Sequence, residues 1–150
     1  MSIFDSINTS ASALTVQRLR MDVVSSNIAN AETTRATINE NGEYEPYRRK
    51  MVVLESENNG FQRFLKQASG EDKSGSGVKA SAIMEDDEPF KVVYNPNHPD
   101  SDENGYVQMP NVDPLQEMVD MMSSTRSYEA NVTSLNASKS LLMKALEIGK

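Results

Sequence analysis

Apolar residues recur every seven positions at the start of the chain, and this spacing predicts a long amphipathic helix from Ser2 to about Ala31. These apolar residues form a stripe along one side of the helix, and Val24 lies in a row next to them. The stripe is narrow, as in a coiled-coil contact, and does not have the width of a broad core face. At about 1.5 Å per residue the helix would be roughly 45 Å long. The repeating positions are Ile7, Leu14, Met21 and Ile28.

The same spacing predicts a second long helix from about Asp113 to Leu146. Asp113 suits the N-cap position, Pro114 the first helical position, and Gln116 the closing position of a capping box. Two apolar rows follow. The first row is Met121, Tyr128, Leu135 and Leu142, and the second is Met118, Thr125, Val132 and Leu146.

Between these helices, short runs rich in β-branched residues predict strands over Arg49–Glu55, Val78–Met84 and Phe90–Tyr94. Residues 67–77 are rich in Gly and Ser and predict a flexible loop. We therefore predict an α+β fold of three parts. These are an N-terminal helix over residues 1–36, a small β-rich module over 37–110, and a C-terminal helix over 111–150 that pairs with the first.

Composition excludes several classes of protein. The 150-residue chain has a net charge of −7, no Cys and one His. The acidic balance argues against a nucleic-acid or anionic-lipid binder, and the lack of Cys and of multiple His excludes disulfide scaffolds, cysteine nucleophiles and multi-His metal sites. The N-terminal segment lacks the basic stretch and continuous apolar run of a secretory signal. A cytosolic protein, or one exported without cleavage, is expected.

Three polar segments contain residues that could carry chemistry. Residues 100–111 match a calcium loop at Asp100, Asp102 and Gly105, but the twelfth position is Asn111 where a Glu is required. A solvated turn is the favoured interpretation. His98 is interpreted as a hydrogen-bonded turn residue, and residues 85–88 (EDDE) as a solvated edge. We expect no catalytic residue, cofactor or metal, and thus no enzyme.

The two helical stripes allow two interpretations: the core of a hairpin within one chain, or contacts between chains. Asn side chains favour the second, because Asn is a poor helix former that can fix the register of packed helices through hydrogen bonds. The stripes also offer little apolar area for two long helices, so we expect terminal helices that order fully only on assembly. The expected assembly interface is Ile7, Leu14, Met21, Val24, Asn27, Ile28, Asn30, Met118, Met121, Tyr128, Asn131, Val132, Leu135, Leu142 and Leu146.

Motifs at both ends resemble those of bacterial flagellar axial proteins, the rod, hook and hook-associated subunits. The N-terminal motif lies within Ser12–Arg35, as MDVV, NIANA and TT, and the C-terminal motif includes NVD at residues 111–113 and SYEAN at residues 127–131. The internal segments YRRK (47–50), HP (98–99) and GYV (105–107), together with the short length, are similar to proximal rod proteins of that family.

This resemblance implies a structural subunit whose terminal helices lie inside a hollow tube, packed against neighbouring subunits. It implies helical assembly in the proximal rod of the basal body and transmission of torque from the motor to the hook. The implied partners are other rod subunits and further copies of the chain, the basal-body junction protein FliE, and the flagellar type III export apparatus, with no nucleic acid and no direct lipid binding. Export would proceed without a cleaved signal peptide, and Phe61–Leu65 fits a short export pattern. The alternative is a cytosolic helical adaptor or chaperone-like binding module.

Overall fold

The computed structural model describes residues 3–39, 42–57, 68 and 77–148. Two long helices enclose six short strands in the chain. The order is α1 (Ile3–Ala29), β1 (Thr37–Ile38), β2 (Tyr44–Glu45), β3 (Lys50–Ser56), β4 (Val78–Glu85), β5 (Lys91–Tyr94), β6 (Tyr106–Met109) and α2 (Pro114–Ile148). The predicted α+β fold class, with a helix at each end and a small strand-rich middle, is confirmed. Phe61–Leu65 and nearly all of the predicted loop 67–77 lie outside the described residues.

The two helices pack along each other in antiparallel orientation. Near one end of the pair, Asn27 of α1 contacts Glu117 of α2, and near the other end the Ser6 and Ser138 hydroxyls lie 3.5 Å apart. The 35 residues of α2 span about 52 Å against about 40 Å for the 27 residues of α1. The C-terminal end of α2 therefore extends past Ile3.

The start of α2 and the end of α1 both have local causes. The Asp113 carboxylate accepts a hydrogen bond from the Leu115 backbone N–H at 3.0 Å, so the predicted N-cap is confirmed. The first helix ends at Ala29, two residues earlier than predicted, and passes into turns in which the Asn30 and Ala31 N–H groups bond to carbonyls three or four residues back.

The strands form three separate antiparallel pairs, β1–β2, β3–β4 and β5–β6. All three predicted runs are strands, as β3, β4 and β5. The sequence did not predict the two-residue strands β1 and β2, which are too short to carry a periodic signal, or β6. The last of these pairs with β5 around the turn-rich connector, where Gly105 adopts a φ of +80° and Tyr94 and Tyr106 meet edge to face at 5.3 Å.

The β3–β4 hairpin lies against α1 along much of the helix. At one end the Asn27 side chain bonds to the backbone of Lys50, and at the other the Ser12 hydroxyl accepts a hydrogen bond from the Val78 N–H at 3.1 Å. Fifteen residues of helix and seven residues of strand both span about 23 Å, so the two elements match in length. The first helix therefore lies between α2 and the hairpin.

The apolar core is small. In the described part of the chain the buried apolar side chains are Val16, Val24, Tyr47, Val107 and Val112, whereas many large apolar side chains on the strands and on α2 are exposed. No helix in that part is long and apolar enough to cross a membrane. An isolated two-stranded hairpin is only marginally stable in water. Because so many large apolar side chains are exposed, the fold leaves much apolar surface for other molecules to cover.

Candidate assembly interface and polar junction

The face of α2 that meets α1 has two rows, one largely apolar and one polar. The apolar row is the predicted one, and its residues Met121, Tyr128, Leu135 and Leu142 are all half-buried. In the predicted second row, Val132 is half-buried and the Thr125 hydroxyl lies 3.5 Å from Met21 Sδ of α1, whereas Met118 and Leu146 are 52% and 75% exposed. A polar row of buried and half-buried residues lies beside the apolar row on the same helix face. It is Glu117, Ser124, Asn131 and Ser138.

The predicted stripe on α1 lies at the margin of the helix contact rather than at its centre. Ile7, Leu14, Met21 and Ile28 are only half-buried, whereas Val24 and Asn27 are buried. The buried residues of α1 face either α2 or the β3–β4 hairpin, and these two elements pack on two sides of the helix. One edge of the predicted stripe therefore remains open to solvent.

Asn27 is the centre of a buried polar cluster that joins α1, the middle strands and α2. Its side-chain amide donates to the Lys50 carbonyl at 2.9 Å and to Glu117 Oε2 at 3.0 Å. Its Oδ1 accepts from the Tyr47 hydroxyl and from the Lys50 N–H, both at 3.0 Å. All four hydrogen-bonding positions of this amide are satisfied, and the residue is 1% exposed.

Glu117 is a fully buried carboxylate whose charge is matched by Arg49. The Arg49 Nε donates to Glu117 Oε1 at 2.6 Å, and its two terminal nitrogens reach Asp86 at 3.1 Å and Asp120 at 3.6 Å. Burial alone would lower the pKa of Arg49, but the hydrogen bonds to Glu117 and Asp86 outweigh it, and the pKa lies above its usual range. The guanidinium thus stays charged at the first turn of α2.

Asn111 connects the loop before α2 to the same cluster. Its Oδ1 accepts from the Arg49 N–H at 2.7 Å, and its Nδ2 donates to the Glu88 carbonyl at 2.9 Å. The Glu88 N–H and the Arg49 guanidinium both stabilise the Asp86 carboxylate and hold its pKa below the usual range. We call Asn27, Tyr47, Arg49, Asp86, Asn111 and Glu117 the polar junction.

Comparison with known proteins identifies the family. Residues 7–37 match the model described as "Flagella basal body rod protein", and residues 103–148 match "Flagellar basal body rod FlgEFG protein C-terminal". The chain is 63% identical to the flagellar basal-body rod protein FlgC of Bacillus subtilis over 100% of both chains. The chain belongs to the FlgC family of flagellar basal-body rod proteins. It is also 43% identical to the Borreliella burgdorferi FlgC, over 99% of this chain and 98% of that one, and 39% identical to the Salmonella typhimurium FlgC over 100% of both.

The two family models cover the parts of this FlgC-family chain that meet in the structure. The first covers most of α1 and the turns that follow it, and the second covers β6 and α2. The resemblance of both ends to flagellar axial proteins is therefore confirmed, and the chain is a structural subunit of the flagellar rod.

The other asparagines of the expected interface bond to residues close to them in the sequence. Asn30 donates to the Ser26 carbonyl at 2.9 Å, and Asn131 donates to the Ser127 carbonyl at 2.8 Å. Neither side chain bonds across the helix pair in the described residues. Of the three Asn in that predicted set, Asn27 joins the two helices in this FlgC-family chain.

The segment predicted as a solvated turn is attached to the chain that follows α1. Arg35 forms an ion pair with Asp100, which also accepts from the Thr34 hydroxyl at 2.7 Å. The Arg35 hydrogen bond lowers the pKa of Asp100, and the Thr34 hydroxyl adds to the effect. His98 Nδ1 accepts from the Asp100 N–H at 3.1 Å, as expected of a turn residue. Within the described ranges, no group of three or more His, Asp or Glu side chains could hold a metal ion.

Two buried polar atoms in the helix region lack partners among the described residues, Gln17 Oε1 and Ser124 Oγ. A buried polar atom without a partner costs about 1–3 kcal/mol. Together with the polar row of α2, these atoms reduce what the helix contact contributes to the stability of one FlgC-family subunit.

The sequence pattern does not predict that Tyr47, Arg49 and Glu117 organise the fold. Tyr47 and Arg49 stand out only as part of the motif YRRK, and Glu117 lies outside both predicted apolar rows. One signal could have indicated Glu117. It begins a row of polar residues at helical spacing beside the apolar row, and such a row next to a helix contact favours buried hydrogen bonds.

Proposed function

We propose that this rod subunit stands in the proximal part of the rod, assembles helically with other rod subunits, and transmits torque from the motor to the hook. The observation that carries the proposal is the pair of long antiparallel helices, whose outer faces expose large apolar side chains over a small core. Such surfaces indicate contacts with other chains. An adaptor that stays in the cytosol is not favoured, because the chain belongs to a rod family along its whole length.

The terminal helices depend on neighbouring subunits for part of their stability. The apolar row on α2 is half-buried, the row beside it is polar, and the buried Ser124 hydroxyl has no hydrogen-bond partner in the described part of the chain. We therefore propose that the half-buried side chains of the predicted set, such as Ile7, Leu14 and Leu142, become covered on assembly. Their burial would then contribute about 25 cal/mol per Å² of apolar area.

The polar junction gives the proposed subunit a stiff connection between its helices and its middle strands. Hydrogen bonds are directional, so a cluster that bonds α1, β3 and α2 at once resists rotation of one element against another. A subunit that transmits torque requires such a connection, because the load on the helices must reach the outer part of the molecule. The role requires binding and stiffness, and no chemistry.

We further propose the junction protein FliE and the flagellar type III export apparatus as partners, with export that leaves no cleaved signal. The support is the resemblance of both ends to axial proteins. Mass spectrometry of the chain recovered from basal bodies tests the export route, since a retained N-terminal peptide is expected. Chemical cross-linking of the same preparation tests contact with FliE.

The main test replaces an apolar residue on the open edge of α1. Leu14→Asp puts a charge on the half-buried stripe, and Thr15→Asp puts the same charge on the exposed neighbouring position as a control. In a strain without its own copy of the gene, we expect Leu14→Asp to abolish swimming and to leave purified basal bodies without rods, while Thr15→Asp supports both. A Leu14→Asp strain that swims normally would contradict the proposal.

A further inference from the structure

The C-terminal end of α2 has a wide apolar surface and little to pack against among the described residues. Ser6 lies opposite Ser138, so the residues after about Leu141 extend past the start of α1 at Ile3. In the segment Leu141–Ile148, which we call the tail, six of eight residues are apolar. The two remaining residues, Lys144 and Glu147, form an ion pair on one face, and an apolar surface as wide as the rest is normally buried. The exposed fractions are 65% for Leu141, 56% for Met143, 75% for Leu146 and 86% for Ile148.

A second exposed apolar group lies at the other end of the same helix. Leu115, Met118, Val119 and Met122 follow the spacing i, i+3, i+4, i+7 and therefore share one face. Their exposed fractions run from 47% for Val119 to 72% for Leu115. We call these four residues the methionine patch. Glu117 and Ser124 are buried against α1, so the patch faces away from the helix contact.

The tail cannot reach the patch of its own chain. The 19 residues from Met122 to Leu141 separate the two groups by about 28 Å of rigid helix. Each group spans eight residues, or about 11 Å, so the two surfaces have equal lengths along the helix. A tail can therefore cover a patch only on another molecule, and its length suits that surface.

We infer that the tail of one subunit packs on the methionine patch of a second copy, so that subunits join head to tail through staggered, parallel α2 helices. This inference rests on the proposed function and assigns one contact of the assembly. Full coverage of both groups would bury on the order of 1,000 Å², close to the lower limit for a specific interface. Such an interface is weak in dilute protein and forms when subunits are concentrated.

Electrostatics favour this pairing over patch against patch. The tail brings the partially negative C-terminal end of one helix beside the partially positive N-terminal end of the next, whereas two patches would bring together two like ends. The one cation of the tail, Lys144, is paired with Glu147 of the same tail at 2.7 Å, so the helix ends distinguish the two pairings rather than side-chain charges. Methionine side chains adapt to irregular contacts, which suits a surface that receives a helix end.

The proposed contact is heterologous, because the two surfaces that meet are different, and it therefore continues from copy to copy. The test uses two full-length double variants. The patch variant is Met118→Asp with Met122→Asp, and the tail variant is Leu146→Asp with Ile148→Asp. The matched control is Val92→Asp, at a 64% exposed position on β5.

Sedimentation velocity across a concentration series measures the association. We expect the wild type and the control to form growing oligomers, and each double variant to stay monomeric with association weakened at least about tenfold. A 1:1 mixture of the two variants is expected to form a dimer and nothing larger, since one intact tail meets one intact patch.

Cross-linking gives an independent readout, because the chain has no Cys of its own. Met118→Cys combined with Leu146→Cys in one chain should give a ladder of disulfide-linked oligomers under oxidising conditions, and each single substitution should give at most dimers. Three results would overturn the inference: a mixture that stays monomeric, a tail variant that dimerises alone, or a wild type that never associates or cross-links. These results do not bear on whether the chain is present in basal bodies. Absence of the chain from basal bodies is the result that would contradict the proposed function.

Discussion

The side-chain amide of Asn27 donates a hydrogen bond of 3.0 Å to the carboxylate of Glu117, although 90 positions separate the two residues. Both are buried, at 1% and 0% exposure. Because a buried polar pair is satisfied in only one alignment, this bond sets which residues of α1 and α2 lie opposite each other. The long apolar rows could pack in several alignments that differ by a turn, and the polar pair selects one of them.

Replacing Asn27 by Ala should strongly destabilise the subunit. The substitution removes four hydrogen bonds, takes away the buried partners of the Lys50 N–H and of Glu117 Oε2, and leaves the Tyr47 hydroxyl with the Ser26 hydroxyl at 3.4 Å. We expect a loss of about 2–4 kcal/mol in the free energy of unfolding. Urea denaturation followed by circular dichroism measures it.

Asn136→Ala is the matched control for this change, because Asn136 is exposed in the same type of helix. Ala favours helices more than Asn does, so the control should be neutral or slightly stabilising. Equal stability losses in the two variants would show that the hydrogen bonds of Asn27 do not contribute to the free energy of unfolding.

The sequence predicted the long elements well because their cause is local. Seven-residue spacing, the cap at Asp113 and β-branched runs act over a few turns, and they placed both helices and three strands. The contact face of α2 was predicted only in part. The spacing of apolar residues does not indicate the polar row that begins with Glu117 and Ser124. Glu117 is buried because Arg49, far away in the sequence, matches its charge, and Ser124 is buried by packing.

Ser124→Ala should raise stability even though it removes a polar group from the contact face of α2. The Ser124 hydroxyl is buried without a hydrogen-bond partner among the described residues, and Ala fills nearly the same volume. Ser123→Ala, at the exposed preceding position, gives the gain due to helix propensity alone, about 0.5 kcal/mol. We expect Ser124→Ala to exceed that gain by about 1 kcal/mol in thermal or urea unfolding. A gain smaller than that of Ser123→Ala would indicate that the hydroxyl is satisfied in solution.

Acid should weaken the polar junction through Asp86. The Glu88 N–H and the Arg49 guanidinium lower the pKa of Asp86 in the folded chain. Because the pKa of Asp86 is lower in the folded chain, its ionised carboxylate stabilises the fold at pH values above the unfolded-state pKa of about 3.9. This stabilisation disappears as the pH falls through the lower pKa of the folded state. Stability should therefore fall as the pH drops below the unfolded-state pKa and through the lower folded-state pKa of Asp86, and Asp86→Asn should make the fall shallower than in the wild type. Asp87→Asn, at an exposed neighbouring position, controls for the loss of one negative charge, and a slope unchanged by Asp86→Asn would contradict the assignment.

The far end of the β3–β4 hairpin should detach from α1 when Gly77 gains a side chain. A Cβ at Gly77 would lie 2.7 Å from the Ser12 Oγ and 2.8 Å from Glu57 Oε2, so the Ser12 hydroxyl must move away from the Val78 N–H that it now accepts. In Gly77→Val we expect the Val78 amide to exchange with solvent about tenfold faster, a local cost near 1.4 kcal/mol. The Lys50 amide, held by Asn27 at the other end of the hairpin, should keep its protection. Hydrogen exchange followed by NMR measures both sites, with Ser12→Ala as the variant that removes the acceptor alone. Faster exchange at Lys50 as well would mean that the hairpin and the junction open together, which contradicts the prediction that only the far end detaches.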